Sequence, residues 1–189
     1  HLDSTGNIAV VHNGVIENFS PLKHQLQSQG VKFRSDTDTE VLAHLIEDVQ
    51  KNEQVNLAEA VRLALHEVVG AYAIAVVSQA EPDIIVAAKK GNPLLIGVGQ
   101  DEFYLASDAT PIVEYTKTVV YLNDQEIAIL PRHGGLTIKT IDGGEKIPYL
   151  EALELKLEAL EKGNFEHFML KEIFEQPRSV RDSFRGRLD

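Results

Sequence analysis

Apolar positions recur along this chain with a helical period in its first third and in short β-like runs afterwards, and the change of texture organises the reading. Ile8-Ala9-Val10-Val11 is a short apolar run that ends at Asn13-Gly14, a dipeptide suited to the positive φ angles of a tight hairpin, so a strand followed by a turn is predicted. Ser20 and Pro21 offer a cap and a first helical residue, and Gly30 follows Leu22 to Gln29 where a left-handed stop is needed. Val31 to Arg34 then reads as a short returning strand. Ser35-Asp36-Thr37-Asp38-Thr39-Glu40 places several capping residues ahead of Val41, Leu42, Leu45, Ile46 and Val49, whose spacing marks one apolar helical face. A further helix is predicted from Leu57 to about Val69, with Asn56 before it, Leu57, Val61, Leu65 and Val68 along one side, and Gly70 ending it.

From Ala71 to Thr140 the pattern becomes a series of short strands: Ala71 to Ser78, Ile84 to Lys89, Leu94 to Val98, Phe103 to Ala106, Val119 to Leu122, Ile127 to Leu130 and Leu136 to Ile141. Connections as short as Gln79 to Asp83 and Gly99 to Asp101 favour antiparallel pairing, because a parallel crossover needs a dozen or more residues. Helices first and consecutive strands later give an α+β class. Leu150, Leu153, Leu157 and Leu160 return to helical spacing, Gly163-Asn164 ends that helix, and Phe165 to Asp189 reads as a connector with a basic cluster of Arg178, Arg181, Arg185 and Arg187.

Composition narrows the function classes. The 189 residues carry 18 basic and 29 acidic side chains, a formal net charge of -11, so a nucleic-acid backbone or an anionic membrane surface would be repelled. No apolar run approaches the roughly 20 residues that span a bilayer, and residues 1 to 30 lack a signal-peptide pattern, so a cytoplasmic protein without membrane attachment is expected. The absence of cysteine excludes disulfides, thiolate metal sites and a cysteine nucleophile within these residues. The chain opens at His1, its sole methionine is Met169, and a strand-like run starts almost at once; a beginning inside a domain is therefore expected.

Two segments could carry chemistry. In His12-Asn13-Gly14, the Asn amide and the Gly backbone N–H could together hold the negative oxygen of a tetrahedral intermediate, while the structural alternative is a hairpin corner. Asp36, Asp38 and Glu40 alternate like the start of a calcium loop, but the required glycine and distal glutamate do not follow. Helix capping is the plainer use of these carboxylates, and binding of a substrate ammonium is the functional one. The histidines at 1, 12, 24, 44, 66, 133 and 167 show no zinc-site spacing, and Gly97-Val98-Gly99 is not a phosphate loop. Neither a metal nor a cofactor is expected.

His12-Asn13-Gly14-Val15-Ile16-Glu17-Asn18, Ser35 to Val41, Gly70-Ala71-Tyr72-Ala73-Ile74, Ala106-Ser107-Asp108 and Phe168 to Pro177 occur in an order that resembles the glutamine:fructose-6-phosphate aminotransferase (isomerizing) family over nearly the whole chain. The resemblance implies an N-terminal nucleophile hydrolase fold, a four-layer sandwich of two antiparallel sheets flanked by helices, incomplete at its N-terminus. It implies residues 1–164 as a class II glutamine amidotransferase (glutaminase) domain and residues 165–189 as a connector into a sugar isomerase domain of the same polypeptide. In that family an N-terminal cysteine attacks the glutamine amide and the released ammonia is passed to fructose 6-phosphate, giving glucosamine 6-phosphate and glutamate. By matching motifs, Asn13 and Gly14 would form the oxyanion hole and Asp38 would bind the α-ammonium of glutamine. The nucleophile would precede His1, so these residues alone are expected to be inactive. Glutamine, the isomerase domain and a second copy in a homodimer are the expected partners. The alternatives are the glutaminase of another amidotransferase, such as the phosphoribosyl type, and a noncatalytic binding module of the same fold.

Overall fold

The computed structural model describes residues 1–153 and 165–184. Residues His1–Leu153 pack as one compact unit, and the last helix belongs to a second, Glu154–Asp189. In the first unit the order is β1 (Ile8–Ile16), α1 (Phe19–Ser28), α2 (Asp38–Glu53), α3 (Leu57–His66), β2 (Gly70–Ser78), β3 (Ile84–Lys90), β4 (Leu95–Val98), β5 (Phe103–Ala106), β6 (Thr118–Tyr121), β7 (Glu126–Pro131), β8 (Thr137–Thr140), β9 (Glu145–Lys146) and β10 (Glu151–Ala152). The second unit contributes α4 (Phe168–Phe184), with Pro177 inside it.

Among the described residues every pairing between these strands is antiparallel, with one isolated parallel bridge from Tyr72 to Gly91. One sheet has six strands in the order β1-β2-β3-β7-β8-β9 and the other four in the order β10-β6-β4-β5. Helices α1, α2 and α3 cover one face of the six-stranded sheet. There Leu22, Leu26, Val41, Leu42, Leu45, Ile46, Leu57, Val61 and Leu65 bury against Ile8, Val10 and Ile16 of β1 and Ile74 and Val76 of β2. Each such side chain contributes about 1.5–3 kcal/mol by leaving water, so this interface dominates the unit's stability. The opposite face meets the smaller sheet, through Ala87, Ala128, Leu130 and Ile138 on one side and Ile96, Val120 and Leu122 on the other. Ala109 and Ile112, on a helical turn closed by Val113 N–H to Ala109 C=O and Thr116 N–H to Ile112 C=O, cap the outer face of the small sheet over Leu95 and Val119. The order is thus helices, sheet, sheet and turns, the α+β arrangement expected.

Several local expectations need correcting. Asn13-Gly14 is not a hairpin turn: both residues lie within β1, opposite Ala73 and Tyr72. The positive φ that the dipeptide signals is present, at +145° on Gly14, but it serves a close approach of strands, because a Cβ there would stand 2.1 Å from the Ala71 carbonyl oxygen. Gly70, which was expected to end a helix, instead opens β2 with φ +133° and a similar approach to the Val15 carbonyl. Helix α3 stops at His66. Ser20 lies inside α1, whose N-cap is Asn18; the Asn18 side chain accepts from Val69 N–H and donates to the Glu67 carbonyl. Residues 31–34 form no strand, because the N–H groups of Arg34 and Ser35 turn to the Glu40 carboxylate instead of to a neighbouring strand. Where a helix was expected from Leu150, Glu151–Ala152 pairs with β6; Leu157, Leu160 and the Gly163-Asn164 stop lie outside the described residues.

Strand β1 is the edge of its sheet, and its far side is only partly covered. Leu2 bridges Ala9, and the backbone of His1 exchanges hydrogen bonds with Val10. Alternation along an antiparallel ladder sends the N–H groups of even-numbered β1 residues outward, as the Val10 and Ile16 bonds to groups beyond the edge show. The amides of His12 and Gly14 should therefore exchange with solvent deuterium faster than those of Val11, Asn13 and Val15 by an order of magnitude or more. Equal protection along the strand, read residue by residue by NMR, would contradict this edge geometry.

Candidate functional site

Two of the three candidate residues, Gly14 and Asp38, come together where the edge of β1 passes the N-terminus of α2. A planar trans peptide points its C=O and its N–H in opposite directions. The Asn13 carbonyl accepts from Asn92 Nδ2 at 2.7 Å across the sheet, so the Gly14 N–H on the same peptide is directed the other way, off the β1 edge. Asn13 itself is solvent-exposed on the opposite face of β1 from the helices.

Asp38 is the first residue of α2 and reaches back to the same edge, its Oδ2 accepting from Ile16 N–H at 2.8 Å. Ile16 follows Gly14 by two residues, about 6.6 Å of strand. The structure therefore brings Gly14 and Asp38 to one stretch of backbone edge, an arrangement that the 23 intervening residues do not make evident in the sequence. The carboxylate is neither sealed nor fully solvated, with 23% of its side chain exposed. A carboxylate has about four lone-pair positions, so one bond to Ile16 leaves capacity for a cation. Placement at a helix N-terminus favours its negative charge.

The sequence reading missed what holds Asp38 in place. Glu40, buried in the first turn of α2, accepts from Arg34 N–H and Ser35 N–H, both at 2.7 Å, from the Ser35 hydroxyl, and lies 3.4 Å from His44 Nε2. Burial pushes its carboxyl pKa up, but the bonds from Ser35, Arg34 and His44 outweigh that effect and hold it below the ordinary glutamate value. One turn on, His44 packs edge-to-face on Phe33 at 4.7 Å, and Glu47, also buried, takes Ser4 and Lys51. The Glu47 carboxyl too is raised by burial and lowered further by Lys51 and Ser4, with a net shift downward. The available signal was the spacing of Glu40, His44 and Glu47, four and then three residues apart, which puts three polar groups on one line of a helix otherwise read by its apolar face. The loop 31–37 and the segment around Ser4 are thereby fastened to α2. Among the described residues no group of three His, Asp or Glu converges to hold a metal ion, and no helix is long and apolar enough to cross a membrane.

A fold of two facing antiparallel sheets with this edge site defines a class, and comparison with known proteins identifies it: residues 1–114 match the glutamine amidotransferase domain, and the chain belongs to that family. It is 52% identical over all 189 residues to the glutamine–fructose-6-phosphate aminotransferase (isomerizing) of Bacteroides thetaiotaomicron. The enzyme of that name from Chlorobaculum tepidum is 54% identical over the same length. The chain spans 31% of the length of each of these relatives. Among solved structures, the glutamine phosphoribosylpyrophosphate amidotransferase of Bacillus subtilis superposes with a TM-score of 0.63 over 75% of this chain and 30% of that one, at 28% identity. The fold is accordingly of the N-terminal nucleophile hydrolase type.

Removing the Glu40 clamp tests the anchoring of α2. Glu40→Gln is expected to cost about 2 kcal/mol in urea unfolding, the scale of hydrogen bonds to a charged group. The sign of the pH dependence follows from the downward shifts: Glu40 and Glu47 stabilise the fold fully above their ordinary value of 4.5, and this stabilisation is lost as pH falls through their lower folded values. The wild-type Tm should drop on acidification below that value, and Glu40→Gln should make the drop shallower; an unchanged acid slope in the variant would remove Glu40 from this role.

Proposed function

We propose that residues 1–164 act as the glutaminase part of an enzyme that transfers the amide nitrogen of glutamine to fructose 6-phosphate, yielding glucosamine 6-phosphate and glutamate, with residues 165–189 connecting to the sugar-converting part of the same polypeptide. The observation that carries the reading is the shared edge of Gly14 and Asp38. A glutamine joins its α-nitrogen to its amide carbon through four bonds of about 1.5 Å, a reach of about 5 Å when extended. That reach is of the same order as the roughly 6.6 Å of strand between Gly14, whose N–H suits a developing oxyanion, and Ile16, whose N–H holds a carboxylate suited to an ammonium. The identities of 52% and 54% to two sugar aminotransferases, against 28% to the phosphoribosylpyrophosphate amidotransferase, favour the sugar acceptor.

In this reading Asp38 pairs with the substrate ammonium in ground state and transition state alike. The Asn13 side-chain amide and the Gly14 N–H act when the amide carbonyl becomes tetrahedral and its oxygen gains charge, where positioned donors are most effective. The attacking group of the reading is a thiolate, and the 189 residues contain no cysteine. Purified by themselves, they should release no ammonia from glutamine above the uncatalysed background; turnover at enzyme-like rates would overthrow the thiol mechanism.

The assignment of roles is tested in the product of the natural gene, assayed for glutamine-dependent glucosamine 6-phosphate. Asn13→Ala should lower kcat by about 10²–10³ with a modest change in KM, the scale seen for loss of one oxyanion donor. Asp38→Asn should raise the KM for glutamine about tenfold or more with a smaller change in kcat. An unchanged KM in Asp38→Asn sinks the ammonium role, and formation of phosphoribosylamine in place of the hexosamine product would transfer the chain to the phosphoribosyl enzymes.

A further inference from the structure

We propose that His12 is a positioning residue for glutamine binding, holding the Asp38 carboxylate in register with the Asn13–Gly14 strand; the inference rests on the ammonium role of Asp38. The His12 side chain is 1% exposed and lies between β1 and the first turn of α2. Its Nδ1 stands 3.0 Å from Thr39 Oγ1 and 3.9 Å from Asp38 Oδ1, and the Thr39 hydroxyl donates to that same oxygen at 3.5 Å. Asp38 Oδ2 is fixed by Ile16 N–H. The carboxylate is therefore fixed at Oδ2 by the backbone of β1, while at Oδ1 the Thr39 hydroxyl approaches at the limit of hydrogen-bond range and the His12 ring, bonded to Thr39, stands behind it. Because His12 is covalently next to Asn13, one side chain couples the strand offering the oxyanion donors to the helix offering the carboxylate.

The second ring nitrogen argues against simple packing. His12 Nε2 is buried and has no partner at full hydrogen-bond geometry, the Ala71 carbonyl being the backbone acceptor near the ring. An apolar side chain of similar size would fill the same space without stranding a polar atom, so filling space does not account for an imidazole here. What an apolar residue could not provide is the Nδ1 contact. Burial lowers the imidazole pKa against the opposing influences of Asp38 and the Ala71 carbonyl, so near neutral pH the ring acts as a neutral hydrogen-bonding group and leaves the carboxylate charge available to a cation.

Asparagine and glutamine imitate different atoms of histidine, the Asn amide lying near the position of Nδ1 and the Gln amide near that of Nε2. In the natural gene product, His12→Asn should keep the KM for glutamine within about threefold of wild type, while His12→Gln and His12→Ala should raise it about tenfold with kcat changed less than threefold; coupling of this size is usual for residues in one hydrogen-bonded network. In an Asp38→Asn background His12→Ala should have no further effect on KM. Full additivity, or equal behaviour of the Asn and Gln variants, overturns the inference. If Asp38→Asn raises KM and His12→Ala does not, the His12 role falls and the ammonium role of Asp38 stands. If Asp38→Asn leaves KM unchanged, both fall. Should the His12 variants fail to fold, Thr39→Val removes the same contact from the helix side, and an unchanged KM there counts equally against the proposal.

Discussion

The bond from Ile16 N–H to the Asp38 carboxylate joins the exposed edge of a sheet to the start of a helix, and the geometry of the site depends on both ends being held. On the strand side, the ladder with β2 fixes β1 through nine paired residues. On the helix side, Glu40 draws in the backbone of Arg34 and Ser35. A loop that would otherwise need a strand partner for its amides thus finds one inside the next helix, and the entry angle of α2 is set by buried charge as well as by apolar contacts. Such an arrangement is stiff because a buried carboxylate stripped of its donors is costly, leaving few alternative placements.

The parts of this fold visible in the sequence are those whose signal is local. Helix α2 shows itself in Val41, Leu42, Leu45, Ile46 and Val49, and the N-terminus of α3 in Asn56, whose side chain does accept from Glu59 N–H. The β-rich runs after Gly70 appear within one or two residues of their observed ends, because alternation and short connections leave antiparallel pairing as the simplest solution. The failures share one cause, a distant partner that reassigns a locally plausible residue. Asn13-Gly14 has the composition of a turn, but the Ala71 carbonyl makes Gly14 the residue of a crowded strand crossing. Val31 to Arg34 has the composition of a strand, but Glu40 claims the backbone that would have paired.

The site was legible in part for the same reason. Asn13, Gly14 and Asp38 could be named from motifs that resemble a family, since residue type and order survive in sequence. The approach of Asp38 to the Gly14–Ile16 edge could not, because it is produced by the paired register of β1 and β2 and by the packing of α2 on β1. Glu40 was weighed as a cap, a calcium ligand or one of three carboxylates for an ammonium, and His12 only as part of a corner and as a histidine without zinc-site spacing. The relation of each to Asp38 passes through contacts with Ser35 and Thr39 that depend on the folded turn.

The ladder that presents Asn13 and Gly14 also carries a consequence for how the chain folds. Its partners are far apart in sequence, from Ile16 with Gly70 to Ile8 with Ser78, separations of 54 and 70 residues. The three helices lie within that loop and can form early from local contacts, whereas β1 is secured only after the whole loop has closed on β2, a step whose entropy grows with the logarithm of its length. An intermediate with α2 and α3 packed but β1 unfastened would contain all the site's residues and none of its geometry. The edge geometry is in this sense a property of the finished topology, present once the edge strand has docked and absent when it detaches.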